Sequence, residues 1–378
     1  SCHGGDTAPQ LVLRELLDSG ARMADPGEFT ERAFLNGKID LAQAEAVADL
    51  IHSSSALAHR VSMSHLKGRY SEKLGEIRSE LLDLSALTEL ELDFADEDVE
   101  FADKQRLEDL LVHTRDLIDE LLSSYQVGTV LRDGVRVVIG GRPNAGKSTL
   151  LNALVGHDRA IVSETPGTTR DEIEADTEIE GVRFQFVDTA GLRETSDAIE
   201  AEGVRRAEES IETGDVLLYV YDLSRGMDSE EQEFLRRLRT DESEVSIILL
   251  GNKLDLVNGQ ADPAAFEDIP YLALSAERGQ QSVEEIAPLK AKLAETVEEE
   301  RARADASNIV TNQRHRQHLQ NAREAVESAL DTLDQPTVMG DMLSLDLREA
   351  MDELGAITGE MTNEDVLDRI FSQFCIGK

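Results

Sequence analysis

The stretch that most constrains the fold runs from Gly141 to Ser148 and has the sequence Gly-Arg-Pro-Asn-Ala-Gly-Lys-Ser. It has the GxxxxGK[ST] spacing of a phosphate-binding loop, and it lies between a β-branched segment at 135–139 and a helical pattern at 149–155. Glycines let backbone N–H groups turn toward phosphate oxygens, and the N-terminus of the following helix adds positive partial charge. In such a loop Lys147 reaches the β- and γ-phosphates, and the Ser148 hydroxyl binds Mg²⁺. The loop therefore predicts a nucleotide-binding α/β domain.

Four further segments follow in the order that a GTPase requires. Residues 165–171 contain threonines whose hydroxyls can complete Mg²⁺ coordination, and Asp188-Thr-Ala-Gly191 follows a strand pattern, where its aspartate acts on Mg²⁺ through water. Asn252-Lys-Leu-Asp255 follows another strand pattern, and its last carboxylate accepts two N–H bonds that guanine offers and adenine does not. Ser275-Ala276 is expected behind the guanine oxygen. Five segments in this order predict a GTPase domain.

The hydrolytic machinery departs from the Ras pattern at Leu192, where Ras-type proteins carry the glutamine that orients water. Another polar group has to take that role, and four candidates follow on the same segment: Arg193, Glu194, Asp197 and Glu200. No arginine finger is identifiable in the sequence. The amide oxygen of Asn144, within the phosphate loop, could hold a monovalent cation against the phosphates. The alternative is that this side chain only stabilises the loop.

The α/β pattern interrupts a helical one. Apolar residues recur at three- and four-residue steps over 38–133 and again over 301–378, whereas residues 134–300 alternate short strand and helix patterns. The alternation predicts a mostly parallel sheet covered on both faces, and the flanking helices are expected to form a single bundle. The long helix before the α/β domain is expected to close at Gly128 and at Asp133-Gly134. Residues 1–37 have the composition of the end of a small domain.

The 378 residues include 77 acidic and 38 basic ones, for a formal net charge of −39. A chain this acidic is not expected to hold nucleic acid through a broad basic surface, and the balance is typical of a solvated surface in a salt-adapted organism. No apolar run reaches membrane-spanning length. Cys2 and Cys375 lie at opposite ends, which predicts a reducing cytoplasm, and Cys2-His3 has no second ligand pair for zinc. The first residue is not Met, so we expect the sequence to begin within a longer protein.

With these residues in hand, the chain resembles the MnmE (TrmE) family of tRNA-modification GTPases, of the TrmE-Era-EngA-YihA-Septin-like group. The resemblance rests on six segments, at 26–38, 40–45, 141–148, 167–171, 188–193 and 374–378, the last reading Phe-Cys-Ile-Gly-Lys. It implies the end of an α+β tetrahydrofolate-binding domain at 1–37, a helical domain in two parts at 38–133 and 301–378, and a GTPase domain at 134–300.

The resemblance also implies a set of site residues. Those assigned to the nucleotide are Asn144, Ala145, Gly146, Lys147, Ser148, Thr149, Ser163, Glu164, Thr165, Pro166, Gly167, Thr168, Thr169, Asp188, Thr189, Ala190, Gly191, Asn252, Lys253, Leu254, Asp255, Ser275 and Ala276. K⁺ would take the arginine-finger role, with ligands from Asn144, Ser163, Thr165 and Thr168. Mg²⁺ would be held by Ser148 and Thr169, and Glu200 would orient water beside Asn144 and Lys147. Lys38 and Lys378 would bind 5,10-methylene-tetrahydrofolate or a 5-formyl-tetrahydrofolate analogue.

The implied activity is K⁺-activated GTP hydrolysis coupled to modification of the tRNA wobble uridine. The implied partner is the FAD-dependent MnmG (GidA) protein in a heterotetramer, with tRNA bound mainly by that partner and homodimerisation through the folate-binding domain. Cys375 is either a functional thiol near the folate region or a packed or exposed one. The alternative function is a regulatory or assembly GTPase of the ribosome-biogenesis type, without folate chemistry.

Overall fold

The computed structural model describes residues 7–93, 104–156, 175–188, 214–240, 245–257, 269–298, 302, 309–335, 340–360, 367, 370–372 and 374. The chain divides into two compact units. The helical unit comprises Ser1–His52, Arg60–Tyr125 and Ala306–Lys378, and the sheet unit comprises Ser53–His59 and Gln126–Asp305. The chain therefore leaves the helical unit, builds the sheet unit and returns, as the change of pattern predicts.

The described elements follow one another in the order that the sequence pattern indicates. They are α1 (Thr7–Asp18), α2 (Glu28–Leu35), α3 (Leu41–His52), α4 (Ala56–Leu66), α5 (Arg69–Asp93), α6 (Lys104–Asp133), β1 (Val135–Gly140), α7 (Lys147–Val155), β2 (Ala175–Ile179), β3 (Val182–Asp188), β4 (Val216–Asp222), α8 (Ser229–Thr240), β5 (Ser246–Asn252), a 3₁₀ turn (Leu254–Leu256), β6 (Tyr271–Ala273), α9 (Ala276–Gly279), α10 (Val283–Glu295), α11 (Gln313–Leu333) and α12 (Gly340–Thr358).

The helical unit has one core that joins helices from both sides of the sheet unit in the sequence. Ile77 and Leu81 of α5, Ile118 of α6, Val326 of α11 and Leu347 of α12 are all buried in it. Their spacing at three to four residues gives each helix one apolar stripe, and each stripe is covered by the others. The predicted single bundle is confirmed, while α6 continues through Gly128 and ends only at Asp133.

The sheet unit contains a six-stranded sheet in the order β2-β3-β1-β4-β5-β6. All neighbours are parallel except β2 and β3, which form an antiparallel hairpin at one edge. In β4, Val216 to Tyr221 are all buried, because a parallel sheet covered on both faces needs a continuous apolar run. The predicted fold class, a helical bundle with an inserted, mostly parallel α/β sheet, is confirmed.

The sequence analysis missed β2. Its residues Ala175–Ile179 alternate polar and apolar side chains, and only two of the five are buried. A strand at the antiparallel edge lacks the long apolar run that identifies the central strands. The signal that could have revealed it is Glu180-Gly181, since both residues have positive φ and connect β2 to β3 as a tight hairpin turn.

A buried ionic cluster ties four helices of the helical unit together. Arg314 of α11 donates to both carboxylate oxygens of Glu45 on α3, at 3.0 and 2.8 Å, and to the carbonyls of Ala356 and Ile357 on α12, at 2.8 and 3.0 Å. The His315 ring lies 2.6 Å from the same carboxylate. These bonds offset the cost of burying the charges, so removing one partner would leave the other uncompensated.

Two groups of this cluster make the stability of the helical unit sensitive to acid. Burial alone would raise the pKa of Glu45, but the charge of His315 and hydrogen bonds from His315 and Arg314 outweigh it and lower that pKa to about 2. Burial lowers the pKa of His65, which stacks on Tyr70 at 5.0 Å between ring centroids, to about 4. Both folded-state values lie below the ordinary values for glutamate and histidine.

We predict that the helical unit loses stability in two steps as the pH falls. Between about pH 6.5 and pH 4 the unfolded chain binds a proton at His65 that the folded chain refuses, for a loss on the order of 3 kcal/mol. Below about pH 4.3 the stabilisation from the ionised Glu45 is lost progressively toward pH 2. His65→Phe keeps a stacking ring and should flatten the first step only.

Scanning calorimetry of the full chain at several pH values would measure these losses. The transition of the helical unit is identified as the one that excess GDP does not raise, because a ligand stabilises the unit that binds it. An unchanged pH slope between 6.5 and 4 in His65→Phe would contradict the assignment of this step to His65.

Candidate functional site

The phosphate loop connects the end of β1 to the start of α7 at the carboxyl edge of the sheet. Gly141 has φ +133°, and a Cβ there would lie 2.0 Å from the Val220 carbonyl oxygen of β4. Gly146 precedes α7 with φ +97°, and its Cβ would lie 2.2 Å from Nδ2 of Asn252. The loop is therefore pressed against two neighbouring strands, and only glycine fits at these two positions.

The two side chains that the motif assigns to phosphate and metal lie in the first turn of α7. Lys147 is buried, and its Nζ donates to the carbonyls of Gly141 and Arg142 at 2.9 and 3.1 Å. These bonds hold the ammonium group inside the curve of the loop. Ser148 is exposed at the helix start, where its hydroxyl is accessible to a hard cation. The sequence prediction that both side chains lie at the loop agrees with this geometry.

Asn252, at the end of β5, joins three segments of the site. Its side chain is only 2% exposed. Nδ2 donates to the Ala145 carbonyl of the phosphate loop at 2.8 Å, and Oδ1 accepts from the backbone N–H of Ala276 at 2.9 Å and of Lys253 at 2.8 Å. One amide thus fixes the phosphate loop and the segments at 252–255 and 275–276 relative to one another, which the sequence alone does not reveal.

The segment after Asn252 turns sharply and exposes the base-recognition residue. Lys253 has φ +66°, and its Nζ donates to Oδ2 of Asp222 at 2.7 Å. Burial would raise the pKa of Asp222, but hydrogen bonds from Lys253 and Ser224 lower it, so the carboxylate is ionised in this pair. Asp255 follows in the 3₁₀ turn and is half-buried. The turn leaves its carboxylate accessible beside the fixed loop.

The segment at 275–276 closes the other side of the site. The Ser275 side chain is fully buried and accepts from the Arg278 N–H at 3.3 Å, which caps α9. Its backbone N–H donates to Oε1 of Glu285 at 3.1 Å. Ala276 is buried and hydrogen-bonded to Asn252, as described above. These bonds place the segment rigidly, as a base-binding loop requires.

Several predicted site residues lie outside the described residues. They are Ser163, Glu164, Thr165, Pro166, Gly167, Thr168, Thr169, Thr189, Ala190, Gly191, Glu200, Cys375 and Lys378. Asp188 is described as the last residue of β3, in register with Ile139 of β1, which places its backbone at the same sheet edge as the phosphate loop. Lys38 is exposed and follows α2 in the helical unit.

Two findings bear on metals and membranes within the described part of the chain. Among those residues, no cluster of three or more His, Cys, Asp or Glu side chains has the geometry of a metal site. The Mg²⁺ and K⁺ ligands predicted here are hydroxyl and amide oxygens, which that grouping does not include. None of the described helices combines the length and apolarity needed to cross a membrane.

The sequence analysis missed two residues that shape the site. Arg142 in the phosphate loop contacts three carboxylates at the start of α8. Asp222 at the end of β4 holds Lys253. The position of Asp222 at the carboxyl end of a buried strand was a signal for it, because polar residues there face the ligand edge of a parallel sheet.

Comparison with known proteins extends over the whole chain. The family model described as the MnmE helical domain matches residues 41–375, and the model described as the GTP-binding protein TrmE N-terminus matches residues 1–38. The tRNA modification GTPase MnmE of Salinibacter ruber is 64% identical over 378 residues, which are 100% of this chain and 82% of the relative. The protein of the same name from Cytophaga hutchinsonii is 43% identical over 379 residues, or 100% of this chain and 80% of the relative. Among solved structures, the FeoB G-domain from Methanococcus jannaschii is 26% identical and covers 43% of this chain and 98% of that chain, with a TM-score of 0.32.

We predict that Asn252→Ala weakens nucleotide binding and destabilises the sheet unit by about 1–3 kcal/mol, because it leaves buried backbone groups of Ala145 and Ala276 without partners. Thermal unfolding of the full chain and titration with a fluorescent GDP analogue measure the two effects. Asn152→Ala is the matched control, since Asn152 lies exposed on α7 and its loss should change stability by less than about 0.5 kcal/mol. Equal effects of the two substitutions would contradict the central role of Asn252.

Proposed function

The chain belongs to the MnmE family of tRNA modification GTPases, which confirms the resemblance drawn from its motifs, and we propose that potassium activates its hydrolysis of GTP. The observation that carries the proposal is the Asn252 amide, which holds the phosphate loop and both base-binding segments in one arrangement. That arrangement supports a site for a guanine nucleotide with its phosphates along the loop that contains Asn144, Lys147 and Ser148.

We assign guanine selectivity to Asp255. The carboxylate follows a turn whose start is fixed by Asn252 and by the ion pair between Lys253 and Asp222. A carboxylate accepts both the N1–H and the exocyclic amino group of guanine, whereas adenine would leave it unpaired. Ser275 and Ala276 approach the base from the opposite segment, where a backbone N–H can meet the guanine oxygen.

We expect Asp255→Asn to lower the affinity for GTP by about 100-fold and to raise the affinity for xanthosine triphosphate. An asparagine amide donates to the 2-carbonyl of xanthine and accepts from its N1–H, which restores the pairing that guanine loses. Competition titrations with GTP, xanthosine triphosphate and ATP test this in wild type and variant. Unchanged GTP affinity in the variant would overturn the assignment of Asp255.

Magnesium fits the oxygen ligands that the chain offers. Ser148 presents an exposed hydroxyl at the start of α7, and Thr169 and Asp188 complete the proposed set, Asp188 through water. A bound Mg²⁺ would neutralise charge on the β- and γ-phosphates. Lys147 would contribute a second positive charge from inside the loop, where two carbonyls hold it.

Potassium fits at Asn144. This residue has φ +65°, uncommon for a non-glycine residue, and its side chain is exposed at the phosphate loop. We propose that its amide oxygen binds K⁺ together with Ser163, Thr165 and Thr168, which lie outside the described residues. The ion would supply the positive charge that an arginine finger supplies in other GTPases. Glu200, also outside them, is the proposed residue that orients the attacking water.

We propose the domain assignment that the family implies, with the folate-binding domain ending at residue 37, the GTPase domain at 134–300 and the helical domain on both sides of it. The exposed ammonium group of Lys38 suits the carboxylates of a tetrahydrofolate glutamate tail, and Lys378 is its proposed counterpart. In this proposal 5,10-methylene-tetrahydrofolate supplies the carbon for a carboxymethylaminomethyl-type group on the wobble uridine of cytoplasmic tRNA.

The proposed partner is the FAD-dependent MnmG (GidA) protein, in a heterotetramer built on a homodimer of this chain through its folate-binding domain. The charge of this chain supports the division of labour. At a net charge of −39 its surface repels the phosphate backbone, so the partner is proposed to supply the main tRNA surface.

We predict that GTP hydrolysis at fixed ionic strength is at least about tenfold faster in K⁺ than in Na⁺, and that Asn144→Ala abolishes this difference. The measurement is the steady-state rate of phosphate release in the two salts. Equal rates in both salts for the wild-type chain would exclude the cation mechanism. A search for a protein that donates an arginine would then follow, and a regulatory or assembly GTPase would become the favoured function.

A further inference from the structure

Arg142 lies inside the phosphate loop, but its guanidinium is bound by the start of α8. It forms ion pairs with Asp228, with Glu230 at 3.2 Å and, through Nε, with Glu231 at 3.8 Å. Asp228 immediately precedes α8, and the other two carboxylates belong to its first turn. An arginine this close to a phosphate site would ordinarily be taken for a phosphate ligand. Here three carboxylates face it instead.

The carboxylates that bind Arg142 are themselves fixed. Oδ1 of Asp228 accepts from the N–H groups of Glu230 and Glu231 at 3.0 Å each, and Oε2 of Glu231 accepts from the Asp228 N–H at 3.0 Å. This reciprocal pair is a capping box, which satisfies the free donors at the helix start. The helix start therefore presents its carboxylates in one defined arrangement.

Glu231 connects this helix start to the sheet. Its side chain is only 6% exposed, and Oε1 accepts from the Tyr219 hydroxyl of β4 at 3.2 Å. Burial and the charge of Glu231 raise the pKa of Tyr219, so the phenol keeps the proton that it donates. A buried carboxylate is stable only with such partners. The chain of contacts thus runs from β4 through α8 to the phosphate loop.

The other end of Arg142 lies within the loop. Its backbone carbonyl accepts from Lys147 Nζ at 3.1 Å and from the Ala145 N–H at 3.3 Å. One residue therefore joins the α8 carboxylates, through its side chain, to the phosphate-binding lysine, through its carbonyl. Displacing the side chain would free the carbonyl that orients Lys147.

We propose that Arg142 is a positioning residue for nucleotide binding, which clamps the outer arm of the phosphate loop to the start of α8. The clamp rests on the proposed nucleotide site and adds to it a residue that acts through Lys147 and the loop backbone. Loss of either half of the clamp loosens the loop and weakens the binding of GDP and GTP alike, without removing any group that touches phosphate.

The sign of the effect at Asp228 separates this role from direct phosphate binding. If Arg142 bound phosphate, Asp228→Asn would release its charge and tighten nucleotide binding. If Arg142 is a clamp, the same substitution weakens binding. Asparagine accepts the same backbone bonds at a helix start, so the substitution removes the charge and keeps the cap.

The experiment measures the affinity and dissociation rate of a fluorescent GDP analogue on the full chain. We expect Arg142→Gln to raise the dissociation constant by about fivefold, Asp228→Asn by about threefold, and the double variant by no more than Arg142→Gln alone. Arg142→Lys keeps the charge without the planar fork and should give an intermediate value. Glu233→Gln is the matched control, because Glu233 lies on α8 and pairs with Arg236 rather than with the loop.

Three outcomes overturn the clamp: unchanged or tighter binding in Asp228→Asn, additive effects in the double variant, or an equal loss in Glu233→Gln. Thermal unfolding of each variant shows whether it is folded, and if Arg142→Gln is not, Asp228→Asn carries the decision. Failure of the wild-type chain to bind the GDP analogue would overturn the nucleotide site together with the clamp. Wild-type binding with unaffected variants would overturn the clamp alone.

Discussion

The site depends on one buried amide. Asn252 has a donor and an acceptor at opposite sides of its side-chain amide, and it uses both on backbone groups of segments that are more than 100 residues apart in the sequence. A hydrophobic contact could hold these segments together, but it would not fix their register, because apolar burial is non-directional. Hydrogen bonds with defined geometry do fix it, and in a buried position they cannot be exchanged for water. The positions of the phosphate loop and of the base-binding segments therefore follow from the same side chain.

The helical unit follows the same physical rule with charges in place of an amide. Its core is built from leucine, isoleucine and alanine, which specify burial but little else. Arg314 adds direction, because its fork reaches Glu45 on α3 and two carbonyls near the end of α12 at once. Such a cluster stabilises the fold less than its contacts suggest, since desolvation opposes it. Its effect is to fix how the helices meet, which is why acid acts on this unit through buried groups.

The sequence predicted the parts of the fold that local patterns encode. The phosphate loop, the central strands and the helical stripes each have a short-range signature, and the structure has them where the patterns indicate. The edge strand β2 was missed because one exposed face leaves no continuous apolar run. Which residue holds the site together was also missed: Asn252 was assigned to the nucleotide, but its contacts to Ala145 and Ala276 depend on strand order. The partners of Arg142 lie more than 80 residues away, and no local pattern announces such pairs.

The acidity of the chain gives a physical reason for an exchangeable cation in the proposed mechanism. Acidic residues outnumber basic ones about two to one, 77 to 38, so a guanidinium near the site meets carboxylates before it meets phosphate. Arg142 demonstrates this, since it lies in the phosphate loop and its charge is taken up by Asp228, Glu230 and Glu231. A resident arginine finger would need protection from the same competition. An ion drawn from solution to neutral oxygens at Asn144 avoids it, because an acidic surface concentrates cations around the site. The same surface attracts Na⁺ equally, so selectivity between the two ions has to come from the oxygen ligands and not from the field of the protein.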